Sequence, residues 1–62
     1  MTLKDFLAMT TADDYYILNV RDAKERLYFG YNNDLTDPAI LGRTVVRIYA
    51  DWASEAFGIT VD

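Results

Sequence analysis

Along the chain, apolar positions first recur with a helical period. Leu3, Phe6 and Leu7 stand at i, i+3 and i+4, one face of a helix, and predict a short helix over about Thr2–Met9. Thr2 has the hydroxyl of an N-cap, and Asp5 stands where the helix dipole favours an anion. Asp5 at the third helical position makes a weaker capping box than Glu or Gln would. A helix this short does not hold alone, so its apolar face must pack on something. The polar run Thr10-Thr11-Ala12-Asp13-Asp14 ends the period.

The pattern then changes. Tyr15–Val20 and Arg26–Tyr31 are rich in β-favouring types and are separated by Arg21-Asp22-Ala23-Lys24-Glu25, which reads as a β-hairpin. Alternation puts Tyr16, Leu18 and Val20 on one face, with Leu27, Phe29 and Tyr31 expected to join them. Gly30 suggests a bulge or a close backbone approach. Asn32-Asn33-Asp34 is turn chemistry. Asp37-Pro38-Ala39-Ile40-Leu41-Gly42 predicts one helical turn, with Asp37 as cap and Gly42 as stop. Thr44–Ala50 is the clearest strand, Asp51–Glu55 turns it, and Ala56–Val61 alternates as a half-buried last strand.

The expected fold is therefore α+β. A short N-terminal helix packs on four mostly antiparallel strands, with a helical turn between the second and third. Two solutions cover the apolar face: a helix laid across an open sheet, or a strongly bent sheet approaching a small barrel. Gly30 and Gly58 as bending points favour the second. Sixty-two residues make one small domain, and 52% apolar content is enough for a core.

The opening Met1-Thr2-Leu3-Lys4-Asp5-Phe6-Leu7, the strand end Gly30-Tyr31 followed by Asp34-Leu35, and Val45-Val46-Arg47-Ile48-Tyr49-Ala50 carry a resemblance. In these segments the chain resembles very short proteins encoded by gut Firmicutes and their phages and mobile elements. The resemblance implies a shared small fold and a mobile-element origin, and carries no catalytic or binding residue across. The order of elements also resembles Sm-like and SH3-like small barrels, an architectural similarity only.

Chemistry is sparse. With neither cysteine nor histidine, disulfides and the usual structural zinc ligands are excluded. Ser54 is the one serine, in an expected turn, and the three glycines are too dispersed to cradle a phosphate. Asp13-Asp14 and the group Asn32, Asn33, Asp34 and Asp37 offer oxygen ligands for a hard cation, but match no calcium loop and read first as turns and caps. No enzyme activity and no cofactor are expected. Nothing at the N-terminus looks like a signal peptide and no run of apolar residues is long enough to span a bilayer, so a cytoplasmic location is expected.

Ten acids against six bases give a net charge of −4, and the bases are scattered, so a nucleic-acid partner is disfavoured. Aromatic placement carries more. Tyr16, Phe29 and Phe57 fit the inward register, whereas Tyr15, Tyr28 and Tyr49 take alternate positions and Trp52 sits in a turn. Exposed Tyr and Trp are the types that dominate interface energies. Arg26, Arg43 and Arg47 are expected on the same outer face, where they add charge-assisted contacts. The expectation is a protein-interaction module, self-associating or hetero-associating, that binds through Tyr15, Tyr28, Tyr49, Trp52, Arg26 and Arg47. The alternative is an acidic inhibitor, encoded by a phage or mobile element, that mimics a phosphate backbone and so binds a host nucleic-acid-binding protein. A third reading is an RNA-binding small barrel whose exposed rings stack on unpaired bases.

Overall fold

The computed structural model describes residues 1–10 and 15–62. Asp13 and Asp14 lie outside these described residues. The elements run α1 (Leu3–Ala8), β1 (Ile17–Arg21), β2 (Arg26–Tyr31), a 3-10 turn (Asn32–Asp34), α2 (Pro38–Leu41), β3 (Val45–Asp51) and β4 (Ala56–Val61).

Local signals set the helices. The Thr2 hydroxyl accepts the Asp5 N–H at 3.1 Å, and the Asp5 carboxylate accepts the Thr2 N–H at 3.4 Å, closing a capping box. Asp37 accepts the Ala39 N–H at 2.9 Å, Pro38 opens α2 and Gly42 caps its end. Both helices lie on the same side of the sheet. Leu3, Leu18, Val20, Leu35, Ile59 and Val61 form the buried core, with Phe6, Leu7, Ile40 and Leu41 packed around it.

The four strands form one sheet in the order β2-β1-β4-β3. The two hairpins, β1–β2 and β3–β4, are antiparallel, and they join through a parallel β1–β4 pair. The sheet is open, which corrects the expected small barrel. With the second hairpin laid parallel beside the first, β2 and β3 stay as separate edges. Gly30 and Gly58, expected as bending points, each give room to a tyrosine. A Cβ on Gly30 would lie 2.9 Å from the Tyr28 hydroxyl. One on Gly58 would lie 2.7 Å from Tyr49 Cδ2 and closer still to Cε2 and Cζ.

Register also differs from the simple alternation. Leu18 pairs with Gly30 and Val20 with Tyr28, so Tyr28 is on the helix-covered side. Phe29 pairs with Asn19 and Tyr31 with Ile17, which turns both rings to the opposite side rather than inward. Arg21 pairs with Arg26 after a register shift, and the extra residue Leu27 packs against the core. Leu27 and Phe29 thus part company at the bulge. Beyond β2, Asn32 prolongs the ladder: its N–H donates to the Tyr16 carbonyl at 2.9 Å and its Oδ1 accepts the Tyr16 N–H at 3.1 Å. The start of β3 is joined by the N-terminal residues, through Leu3 N–H to the Arg43 carbonyl and Val45 N–H to the Met1 carbonyl, both 2.9 Å.

Candidate functional site

Among the described residues no helix covers the second face of the sheet, where a strand's alternate side chains point whatever their chemistry. The registers place three rows across the uncovered face, in the strand order β2-β1-β4-β3. One row is Arg26, Arg21, Thr60 and Arg47. The next is Phe29, Asn19, Gly58 and Tyr49. The third is Tyr31, Ile17, Ala56 and Asp51. The β4 positions are small, which leaves room for the side chains of the flanking strands to lie over them.

The two β2 rings are exposed and Tyr49 is half-buried. Phe29 is 47% and Tyr31 51% exposed, values far from those of core residues. The Arg26 guanidinium lies 4.8 Å from the Phe29 ring centre, and that of Arg47 lies 4.8 Å from the Tyr49 ring centre. Each cation is held over the negative face of its ring, which fixes both side chains without shutting them from solvent. Tyr49 itself leans over Gly58. Tyr15 meets Tyr31 edge-on with ring centres 6.2 Å apart, extending the aromatic surface past the end of the sheet. There a groove of about 740 Å³ runs between Tyr15, Tyr31, Trp52 and Phe57.

Beneath the rings sits a polar pair. The Asn19 side chain, only 5% exposed, donates through Nδ2 to Asp51 Oδ2 at 2.7 Å. Its Oδ1 is buried and has no hydrogen-bond partner. The Asn19 amide, followed by bonds from Ser54 and the positive charge of Arg26, holds the Asp51 carboxyl below its ordinary value against the opposing pull of burial.

Of the residues singled out in the sequence, Arg26, Arg47 and Tyr49 meet on this face. Tyr15 and Trp52 flank its end, exposed by 72% and 85%. Tyr28 stands apart on the helix side, half-buried, its hydroxyl donating to the Tyr31 carbonyl at 2.6 Å. Burial raises its pKa, with Asp34 adding to the effect. Arg43 is also elsewhere: it donates through Nε to the Asp62 carbonyl at 2.8 Å and pairs with Asp22 at 3.3 Å, tying the first hairpin to the end of β4. Sequence reasoning missed Phe29, Tyr31 and Arg21 as members of the face. The run Tyr28-Phe29-Gly30-Tyr31 has no polar position to set its parity, so only the pairing of Gly30 with Leu18 decides it.

Among the described residues, no cluster of His, Cys, Asp or Glu could hold a metal ion, and no helix is long and apolar enough to cross a membrane. Asn32, Asp34 and Asp37 go to the ladder, the 3-10 turn and the α2 cap. No protein-family model matches the chain, and no curated protein or solved structure is significantly similar to it.

Proposed function

We propose that this protein is a binding module that engages a partner through the uncovered face of its sheet. The supporting observation is the division of labour between the two faces. One supplies the buried apolar core, with Ile48 and Phe57 half-exposed at its margin, while the other carries Phe29 and Tyr31 exposed and Tyr49 half-buried, with Arg21, Arg26 and Arg47 beside them. A small domain with no use for such a face would be expected to leave it charged and mixed. Rings that present large area with few rotatable bonds, next to arginine, are the types that carry interface energy. The aromatic rings, the arginines and a fixed carboxylate together offer area and polarity to a ligand.

The acidic-mimic alternative draws less support from the acids themselves. Asp5, Asp37 and Asp22 each accept backbone N–H groups in caps or a turn, so their charge is tied to local structure rather than set out in a continuous stripe. Catalysis finds no support in the chemistry of the face, which holds neither a nucleophile–base pair nor a carboxylate pair across a cleft.

The test is retention from a cell lysate by the immobilised protein, with bound protein and nucleic acid both measured. A Phe29→Ala/Tyr31→Ala/Tyr49→Ala variant, shown to be folded by its circular dichroism, runs beside the wild type. Selective retention by the wild type and its loss in the variant are expected. Equal retention by the two would mean that this face is not the binding surface.

A further inference from the structure

The uncovered face is organised in rows, and the rows differ in chemistry. Arginines fill three of the four positions at one end, aromatic rings flank the middle, and Asp51 stands at the far end with Asn19 reaching towards it. Each row crosses all four strands. With neighbouring strands about 4.8 Å apart, a row spans roughly 14 Å. We infer that this face binds single-stranded nucleic acid laid across the strands, with phosphates along Arg21, Arg26 and Arg47 and bases stacked on Phe29 and Tyr49. The inference rests on the binding-module reading and names the class of its partner.

Each row has a matching part of the ligand. Arginine pairs with phosphate through charge-assisted bonds in a planar fork. A base presents a flat π-face to a ring whatever its sequence, and a sheet with exposed rings accommodates two or three bases in this way. The Arg26 and Arg47 guanidinium groups lie over the Phe29 and Tyr49 rings, and Tyr49 rests on Gly58 with its other side, so a base takes the place of each guanidinium as the arginine turns to a phosphate. Base edges carry N–H donors, and the third element of the face is an acceptor, the Asp51 carboxylate, oriented by the Asn19 amide.

Charge decides between this ligand and an acidic polypeptide. Both would be drawn to the three arginines. An acidic polypeptide would then meet the Asp51 carboxylate with carboxylates of its own and leave the rings without flat partners. A nucleic acid satisfies both, because its negative charge is confined to the backbone while its bases donate. The net charge of −4 opposes either ligand at long range. Beyond roughly 8 Å at physiological ionic strength that opposition is largely screened. Along the strands of this face three arginines stand against the carboxylate of Asp51; of the acids in the adjoining turns, Asp22 is paired with Arg43, while Glu25 and Glu55 lie at the two ends of the face, and Asp5 and Asp37 cap helices on the other side of the sheet.

The test is fluorescence polarisation with a labelled single-stranded oligonucleotide of about ten nucleotides, within the range of site sizes seen for such platforms. The same strand in a duplex and a glutamate oligomer serve as competitors. Binding is expected at low salt, with log affinity falling against log salt at a slope of roughly −2 for three phosphate contacts. Arg21→Gln, Arg26→Gln and Arg47→Gln should each flatten that slope by about 0.7. Phe29→Ala and Tyr49→Ala should weaken binding roughly five- to 150-fold each, whereas Phe29→Tyr and Tyr49→Phe, which keep a ring, should bind like the wild type. These conservative variants separate loss of stacking from loss of fold.

Three outcomes would overturn the inference. Failure of the wild type to bind the strand at low salt is one. Equal competition by the glutamate oligomer is another; it would assign the face to an acidic polypeptide and leave the binding-module reading standing. Binding that survives removal of both rings and the arginines would place the contact off this face.

Discussion

Replacing Gly58 with alanine adds one methyl group at a position where the structure has given all the space to Tyr49. The new Cβ would lie 2.7 Å from Tyr49 Cδ2 and nearer to two other ring atoms, so the ring must swing outward or the strands must part. Overpacking of this kind costs about 1–3 kcal/mol. Alanine also gains roughly 0.5–1 kcal/mol over glycine by restricting the unfolded chain, provided its backbone conformation is compatible. That condition holds, since no glycine here has a positive φ. The net expectation is a loss of about 1–2 kcal/mol. A domain of this length has roughly 3–9 kcal/mol in all, so the change is large. It should lower the melting temperature by roughly 4–15 °C. Urea unfolding followed by far-ultraviolet circular dichroism is the suitable assay, because Trp52 is already 85% exposed in the folded state and its emission would report little. A double-mutant cycle isolates the cause. With Tyr49→Ala in place the ring is gone, and Gly58→Ala should become neutral or stabilising, a coupling of at least about 1 kcal/mol. An equal loss in both backgrounds would show that the ring is not what the methyl group meets.

Two further perturbations follow from backbone and charge. Glu55 has a φ of 53°, the left-handed region in which a side chain costs about 1–2 kcal/mol; Glu55→Gly should raise stability by about 0.5–1 kcal/mol after glycine's entropic cost, and a lower melting temperature would contradict this. Asp22 is held below its ordinary pKa chiefly by backbone N–H groups of Glu25 and Lys24, with Arg43 contributing, and Asp51 chiefly by the Asn19 amide. Because their folded values are depressed, the stability they give is complete above the unfolded value of about 3.9 and is lost as pH falls through the folded values. The urea midpoint should therefore drop on acidification below about pH 4, and an Asp22→Asn/Asp51→Asn variant should drop less; equal slopes would contradict the assignment.

The sequence was informative wherever one residue type decides the local outcome. Thr2 with Asp5, Asp37 with Pro38, and the polar break after Val20 each name an end or a turn without reference to the rest of the chain. Strand pairing was less legible, because the parallel β1–β4 contact joins residues nearly forty positions apart and has no local signature. The face of each aromatic depended on that pairing and on a bulge. In Tyr28-Phe29-Gly30-Tyr31 every position is compatible with burial, so Phe29 and Tyr28 exchanged places relative to plain alternation. The arginines illustrate the same limit. Arg21, Arg26 and Arg47 are scattered in the chain, and only the sheet brings them into one row.

The account's central claim is that one face of the sheet folds the protein and the other binds. Aromatic side chains report on the two faces separately: Phe29, Tyr31 and Tyr49 on one, Phe6, Tyr16 and Tyr28 on the other. The most direct measurement is the carbon–proton spectrum of these rings during titration with the single-stranded oligonucleotide. Shifts confined to Phe29, Tyr31 and Tyr49, with the other three rings unmoved, are the expected result. Shifts at Phe6, Tyr16 and Tyr28 while the open-face rings stay still would contradict the claim.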